Sequence, residues 1–294
     1  MSITLEKIKK AAQRLDGVIK ETSTIYSNTF SEICNNQVYL KPENLQKTGS
    51  FKIRGAYNKI ANMDDGKKQN GVIASSAGNH AQGVAYAATH YGIDSTIVMP
   101  REAPIAKVTA TKNYGAEVVL YGDNYDEAYE KALEIQKETG QVFVHPFNDP
   151  EVIAGQGTIG LEIIEELPDL EVIIVPVGGG GLISGIATAI KSYSPEVKVV
   201  GVEAAEDSDI KKSLKTNKIK NIQKVSTIAD GIAVKKPGDV TFDLCKKYVD
   251  EVVEVDEEEI ANAILMLLER TKMVVEGAGA TTLAALLNNK VNFE

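Results

Sequence analysis

Four consecutive glycines that follow an apolar run are the strongest chemical signal in the sequence. They lie in VIIVPVGGGGLISG (172–185), between a predicted buried strand and a run of small residues, Ile186 to Ile190, predicted to be helical. Glycines let backbone N–H groups approach an oxyanion closely, and a helix N-terminus adds partial positive charge. The segment therefore predicts a cradle for a phosphate group.

A dinucleotide is an alternative occupant of this glycine loop. Glu203 ends the next predicted strand, 24 residues after Gly179, which is near the spacing of a ribose-binding carboxylate. Against this interpretation, Ser184 stands where the third glycine of a dinucleotide motif is expected, and no Walker lysine follows the loop. A nucleotide-binding oxidoreductase that uses Gly178–Gly181 stays open at this point.

A lysine in a second segment, KPENLQKTGSFKIRGA (41–56), has features of a reactive amine. Lys52 follows an aromatic residue and the turn-and-cap pattern Thr48-Gly49-Ser50, which predicts that it lies in the first turn of a helix. The positive helix end and partly apolar surroundings disfavour the ammonium form of a lysine. Such a lysine suits Schiff-base chemistry.

A third segment, SSAGNHAQG (75–83), follows a predicted strand and opens a helix. Asn79 places a neutral amide in the first turn, where it suits a phenolic or carboxylate oxygen. His80 has no histidine or carboxylate partner four residues later and is interpreted as structural. A lysine, a phosphate cradle and a polar partner for a ring oxygen are together what pyridoxal 5′-phosphate needs.

Alternation of strand-like and helix-like segments predicts the architecture that holds these residues. Such alternation is typical of α/β folds with mostly parallel sheets covered by helices. Helices are predicted over 78–91, 104–114, 125–139 and 151–167, and a surface helix and loop over 211–224. Strands are predicted over 72–76, 95–100, 116–121, 141–146, 171–177, 197–203 and 251–256.

Composition excludes several classes of protein. The 294 residues carry a net charge of −9, which disfavours nucleic acid and anionic membrane surfaces as partners. Cys34 and Cys245 form neither a disulfide framework nor a spaced metal site. With no long apolar run and an amphipathic N-terminal segment, the chain is expected to be cytoplasmic and soluble.

The segments SFKIRGA, SSAGNHAQG and PVGGGGLISG, in this order, resemble the fold-type II pyridoxal-phosphate enzymes, and among them the short catabolic threonine dehydratases. The resemblance covers nearly the whole chain. It implies a tryptophan synthase β-like fold of two αβα domains with the cofactor between them. The smaller domain is expected at 50–147, inserted into a larger one formed by 1–49 and 148–294.

The resemblance also implies a role for each matching residue. Lys52 is expected to hold the cofactor covalently and to remove the substrate α-proton, Phe51 to pack on the cofactor ring, and Asn79 to bond the ring hydroxyl. The phosphate cradle is expected to consist of Gly178, Gly179, Gly180, Gly181 and Leu182. The loop expected to grip the substrate carboxylate consists of Ser75, Ser76, Ala77 and Gly78.

The activity implied by the resemblance is β-elimination from L-threonine to give 2-oxobutanoate and ammonia, with L-serine to pyruvate as a side activity. Serine racemase, which shares the motifs, is the alternative within this fold. Racemases carry a serine acid/base where this chain has Ala77, so elimination is favoured. A nucleotide activator and a homo-oligomer, dimer or tetramer, are further expectations.

The last two expectations concern a cation site and the final strand of the larger domain. Glu203, Asp207 and Asp209 could together supply oxygen ligands to a divalent cation, as the corresponding loop does in racemases. Similar chains continue beyond the position of Glu294 into a further strand and a serine-containing turn that bonds the pyridine nitrogen. The larger domain is therefore expected to lack its last strand, which would leave one sheet edge unpaired.

Overall fold

The computed structural model describes residues 3–205, 209–222 and 225–293. Short strands alternate with helices along most of this length. The helices are α1 (Leu5–Leu15), α2 (Asn28–Cys34), α3 (Lys52–Ala61), α4 (Asp65–Lys68), α5 (Asn79–His90), α6 (Ile105–Asn113), α7 (Tyr125–Thr139), α8 (Pro150–Glu166), α9 (Gly181–Tyr193), α10 (Asp209–Thr216), α11 (Asp239–Tyr248), α12 (Glu257–Met266) and α13 (Gly277–Leu287). The strands are β1 (Ile25–Tyr26), β2 (Tyr39–Leu40), β3 (Val72–Ser75), β4 (Ser95–Met99), β5 (Glu117–Leu120), β6 (Val142–Phe143), β7 (Val172–Pro176), β8 (Lys198–Ala204) and β9 (Glu251–Val255).

The first parallel sheet has four strands in the order β5-β4-β3-β6. Every residue of β3 and β4 is buried, because helices cover both faces of the sheet and the sequences VIAS and STIVM are rich in small and β-branched side chains. Val72 pairs with Ser95 at the start of this ladder, and Ser75 pairs with Val98 at its end. The carboxyl end of β3 delivers the chain to the Ser75–Asn79 segment.

The second parallel sheet has three strands in the order β7-β8-β9, and β8 lies buried at its centre. Within the described residues β7 pairs only with β8, so its other edge is open. The expectation that the larger domain lacks its last strand stays a prediction, as does the expected smaller domain at 50–147. A separate antiparallel ladder joins β1 to β2.

Glycines allow three helices to approach closely at the centre of the molecule. A Cβ at Gly155 of α8 would lie 2.5 Å from the carbonyl oxygen of Arg54 in α3. A Cβ at Gly185 of α9 would lie 2.4 Å from the carbonyl oxygen of Ile153 in α8. Because real Cβ atoms do not approach so closely, both positions require glycine. This packing fixes the helix that begins with Lys52 relative to the helix that follows the glycine loop.

The predicted strands and helices are confirmed, with boundaries shifted by one to four residues in most cases. The helix after the glycine loop is the main difference, because it begins at Gly181 rather than at Ile186. The fourth glycine thus already belongs to the helix. The predicted surface helix is α10, and residues 223–224 of its loop lie outside the described residues. No helix in the described ranges is both long and apolar enough to cross a bilayer.

Candidate active site

One cleft collects the residues that the sequence singled out. It opens between the carboxyl ends of β3 and β7 and has a volume of about 2370 Å³, continuing along the open edge of β7. Its size exceeds that of a typical ligand pocket, so the cofactor site occupies only part of it. The predicted site residues that line it are Phe51, Lys52, Ser75, Ser76, Ala77, Gly78, Asn79, Gly178, Gly179, Gly180, Gly181 and Leu182.

Lys52 is the first residue of α3, as predicted. Its Nζ donates to the carbonyl oxygen of Pro146 at 3.3 Å and lies 5.2 Å from the ring centroid of Phe51. Burial lowers the pKa of the Lys52 amine to about 8, because desolvation disfavours the charged form. A much larger fraction of this amine is therefore neutral near pH 7 than of an ordinary lysine.

The expected capping of α3 by the Thr48-Gly49-Ser50 segment is wrong. The N-cap position is occupied by Phe51, and no side chain of the described chain caps the helix. The hydroxyls of Thr48 and Ser50 are buried and find no hydrogen-bond partner in the described structure. Of the two residues only Ser50 lines the cleft, and its hydroxyl, unpaired in the described structure, points to a polar ligand there, since buried hydroxyls are normally paired.

The glycine loop has the geometry of an anion cradle. Gly180 has a φ of +86° and precedes α9, whose first N–H groups receive no side-chain cap among the described residues. A Cβ at Gly178 would lie 2.8 Å from the carbonyl oxygen of Ile232, and one at Gly179 would lie 2.5 Å from the ring of Phe147. The loop therefore needs glycines in order to fit between these two walls, with its N–H groups left for a ligand.

A second uncapped helix start lies opposite, at α5. The N–H of Ser76 donates to the carbonyl oxygen of Val98, and the N–H of Gly78 donates to Ser76 Oγ, both at 3.2 Å. The backbone N–H groups of Ser76 and Gly78, two residues of the loop expected to grip the substrate carboxylate, are thus already engaged. No described side chain caps α5, so its first-turn N–H groups supply the donors in their place.

The amide of Asn79 makes one bond that crosses the cleft. Its Nδ2 donates to Oε2 of Glu276 at 2.8 Å. Asn79 begins α5 beside the four-stranded sheet, whereas Glu276 precedes α13, which packs against the three-stranded sheet. The bond therefore links the start of α5 to the start of α13 within the cleft.

Two imidazoles beside Lys52 are held neutral. His80 is buried, and its Nε2 lies 2.8 Å from the carbonyl oxygen of Val144. Burial, together with the charge of Lys52, lowers the pKa of His80 to about 3. Burial also lowers the pKa of His145 to about 4, and its Nδ1 accepts N–H bonds from Phe147 and Asn148. Neither ring competes with Lys52 as a proton carrier near pH 7.

A buried ion-pair network supports the helix that carries Lys52. The guanidinium of Arg54 is fully buried and donates to both carboxylate oxygens of Glu43 at 2.8 Å. It also bonds both oxygens of Glu162 and the hydroxyl of Thr158. Lys41 extends the network through a 2.8 Å contact with Glu162. Arg54 lies two residues after Lys52, so these bonds hold the start of α3 against α8.

Residues 15–294 match the protein family described as pyridoxal-phosphate dependent enzymes. The chain belongs to this family. An L-threonine ammonia-lyase of Thermotoga maritima is 62% identical over 97% of this chain and 71% of its own length. The catabolic L-threonine dehydratase of Escherichia coli K12 is 48% identical over 99% of this chain and 89% of its own length.

Solved structures show the same fold. A threonine deaminase of T.th. is 40% identical, with a TM-score of 0.93, and the match covers 98% of this chain and 93% of that one. A serine racemase from Dictyostelium discoideum is 38% identical, with the same TM-score of 0.93, and the match covers 99% and 93% of the two chains. Because both kinds of enzyme match equally well in fold, the fold alone does not separate elimination from racemisation.

The residues of the cleft fit pyridoxal phosphate. An uncapped glycine loop suits its phosphate, a buried amine with a lowered pKa suits its aldehyde, and the amide of Asn79 suits its ring oxygen. The buried hydroxyl of Ser75 and the Nδ1 atom of His80 lack partners among the described residues and line the same cleft. Unpaired polar atoms of this kind indicate that the cavity is built for a polar occupant.

The nucleotide interpretation of Glu203 is wrong. Its two carboxylate oxygens accept the N–H groups of Ile210 and Lys211 at 2.9 Å, and the side chain is fully buried. Glu203 therefore stabilises the start of α10 and is not available to ribose hydroxyls. Burial and the adjacent Glu203 carboxyl raise the pKa of Asp209 to about 9.

The expected cation site is tested only in part. Asp207 lies outside the described residues. Among those that are described, no cluster of three or more metal-ligating side chains occurs. The Glu203 carboxyl lies close enough to Asp209 to help raise its pKa, whereas both carboxyl oxygens of Asp209 lack a hydrogen-bond partner among the described residues. Cation binding at the expected residues stays a prediction.

Several supporting residues carry no signal in the sequence. Thr241 donates its hydroxyl to the carbonyl oxygen of Gly179 at 2.7 Å and so holds the glycine loop from α11. Phe147 packs against the loop glycines, and Arg54 anchors α3. Phe147 follows the strand predicted over 141–146 and lies in none of the three motif segments, and Thr241 lies in no motif either. These contacts join residues far apart in sequence, so no local pattern could predict them.

Proposed function

We propose that this chain is a pyridoxal-phosphate-dependent ammonia-lyase that converts L-threonine to 2-oxobutanoate and ammonia. The observation that carries the proposal is the Lys52 amine, which lines one cleft together with the uncapped glycine loop and Asn79. Similarity to an L-threonine ammonia-lyase at 62% identity supports the choice of substrate. The direct test is equimolar formation of 2-oxobutanoate and ammonia from L-threonine.

The assignment of residues to the cofactor is supported by their positions along one cleft and by the resemblance. Lys52 would hold the aldehyde carbon, the N–H groups from Gly178 to Leu182 would hold the phosphate, and Asn79 would bond the ring oxygen. Phe51 stands beside the Lys52 amine and would pack on the ring. When bound, pyridoxal phosphate supplies a conjugated system that takes up negative charge from the substrate α-carbon.

Other groups of the site would remove the α-proton and bind the substrate carboxylate. Lys52, once released as a neutral amine, would remove the α-proton, and its lowered pKa keeps it competent as a base near neutral pH. The first-turn N–H groups of α5, together with the hydroxyl of Ser75 from the Ser75–Gly78 loop, which is unpaired among the described residues, would hold the substrate carboxylate. The β-hydroxyl would take up a proton and leave as water, and the released enamine product would tautomerise and react with water to give 2-oxobutanoate and ammonia.

We expect capture of pyridoxal phosphate by the cofactor-free protein to depend on pH through Lys52. Only the neutral amine attacks the aldehyde, so the capture rate should rise from about pH 6 and level off above about pH 8. An ordinary lysine would continue to gain rate towards its pKa of 10.5. Stopped-flow absorbance of the bound cofactor measures this profile. His80 and His145 do not contribute, because their pKa values lie below this range. A rate that still rises steeply above about pH 9 would contradict the assignment.

Serine racemase is the second candidate, favoured by the structural match to the Dictyostelium enzyme. The half-buried side chain of Ala77 faces the cleft and bears no group that exchanges protons. We therefore expect pyruvate, not D-serine, as the main product from L-serine.

The variant Ala77→Ser should raise the ratio of D-serine to pyruvate by at least about 10-fold, since a positioned acid/base contributes about 10² to 10⁴ in rate. Chiral chromatography measures both products. Ala77→Gly, which changes the side chain without adding a hydroxyl, is the matched control. D-serine forming faster than pyruvate in the unmodified enzyme would make racemisation the main activity.

Other expectations extend this proposal. L-serine lacks one methyl group of L-threonine, which corresponds to only about 1 to 3 kcal/mol of discrimination, so it should be a side substrate. A homo-oligomer, a nucleotide activator, a cytoplasmic location and a divalent cation at Glu203, Asp207 and Asp209 complete the proposed function. The first three are supported by the resemblance to the threonine dehydratases, and the cation by the resemblance to the racemases.

A further inference from the structure

The bond between Asn79 and Glu276 has no role in the reaction steps assigned to Lys52. It joins residues 197 positions apart, at the point where the two halves of the molecule face each other across the cleft. Both residues line the cavity that contains Lys52. The bond therefore restrains the Asn79 side chain, which is the expected partner of the cofactor ring oxygen.

The side chain of Glu276 is free for this purpose because it does not serve its own helix. Glu276 occupies the N-cap position of α13, where its carbonyl oxygen accepts the N–H of Ala280. A side-chain oxygen at this position commonly caps the first turn. In the described structure the carboxylate makes no such cap and reaches Asn79 instead.

The chemistry of a carboxylate fixes the orientation of the amide. An ionised carboxylate only accepts hydrogen bonds, whereas an asparagine amide donates through Nδ2 and accepts through Oδ1. Asn79 must therefore turn its Nδ2 towards Glu276, which leaves the second N–H of the same nitrogen for another acceptor. A phenolic ring oxygen is such an acceptor. Without Glu276, the amide could rotate and present its oxygen, which would repel an anionic ring oxygen.

We propose that Glu276 is a positioning residue that orients the Asn79 amide so that it donates an N–H to the cofactor ring oxygen. This inference rests on the proposed function, because it requires pyridoxal phosphate in the cleft. Glu276 acts through Asn79 and does not itself touch the reacting atoms.

A double-mutant cycle on cofactor affinity tests this role. Apparent dissociation constants for pyridoxal phosphate are measured by absorbance titration of the wild type, Glu276→Ala, Asn79→Ala and the double variant. Glu276→Ala should weaken binding about 10-fold, because hydrogen bonds to charged groups are among the strong ones. In the Asn79→Ala background the same change should have little effect, since the group that it positions is gone.

A conservative variant separates positioning from general structural damage. Glu276→Gln keeps an acceptor oxygen and should bind the cofactor within about 3-fold of the wild type. The pH at which the visible band of the bound cofactor changes should shift in Glu276→Ala but not in Glu269→Ala. Glu269 is exposed on the neighbouring turn and serves as the matched control. Thermal unfolding of each cofactor-free variant checks that it is folded.

The outcomes test the positioning role of Glu276 separately from the proposed function. Equal losses from Glu276→Ala in both backgrounds would overturn the positioning role, as would no loss at all. If Glu276→Ala does not fold, a Glu276→Gln variant with lost affinity and an unshifted visible band overturns it as well. Failure of the wild type to bind pyridoxal phosphate through any lysine would instead reject the proposed function itself.

Discussion

Lys52→Ala is expected to lower kcat/KM for L-threonine by at least about 10³-fold. The substitution removes both the amine that holds the cofactor and the base that takes the α-proton, and each function alone contributes a large factor. Four other lysines line the cleft, and three of them, Lys41, Lys107 and Lys235, are each engaged by a carboxylate; Lys236 is the fourth. Steady-state formation of 2-oxobutanoate measures the effect.

Lys10→Ala is the control for this experiment, because Lys10 is exposed on α1 and remote from the cleft. It should leave turnover unchanged. Circular dichroism of Lys52→Ala should show a folded protein, since burial of an amine with a lowered pKa does not stabilise the fold. Turnover within 10-fold of the wild type in a folded Lys52→Ala protein would mean that another residue performs the chemistry.

Arg54→Met is expected to cause a large loss of stability. Methionine fills much of the same space but leaves Glu43 and Glu162 without their cation, within a network whose guanidinium is 0% exposed. Removal of one partner of a buried ion pair lowers the free energy of unfolding by about 3 to 5 kcal/mol. The free energy of unfolding from urea titration measures the loss. Because α3 begins at Lys52, cofactor retention should fall as well.

Two further variants define the cause of this loss. Arg54→Lys keeps the charge but not the paired bonds to both glutamates, so it should lose less stability than Arg54→Met. Arg101→Met removes an exposed arginine, 62% accessible, from a 3.4 Å contact with Asp123 and should cost less than about 1 kcal/mol. If Arg54→Met costs no more than Arg101→Met, the buried network does not anchor α3.

The sequence predicts the strands and the cofactor segments well because their signals are local. Parallel strands covered on both faces must be apolar throughout, so runs such as STIVM at β4 stand out from the helices around them. The glycine loop, the Lys52 segment and the Asn79 segment each lie at the junction of a strand or turn with a helix. Topology then brings these junctions to one cleft, as is usual for α/β proteins.

Contacts between residues that lie far apart in sequence could not be predicted from the sequence. Arg54 meets Glu162 across 108 positions, and Asn79 meets Glu276 across 197. Neither pair has a spacing that a helix or a strand would reveal. The predicted cap of α3 is wrong because composition alone does not decide which residue takes the cap position. Ser50 has the composition of a cap, but its hydroxyl stays unpaired in the described structure, and the backbone of Phe51 takes that position.

Identification of the lysine that carries the cofactor tests the central claim most directly. The holoenzyme is reduced with borohydride, digested and analysed by peptide mass spectrometry, so that the pyridoxyl group stays on the amine that held it. We expect one modified residue, Lys52, within the segment SFKIRGA. A pyridoxyl group on any other lysine of the cofactor-saturated protein, or on none, would contradict it.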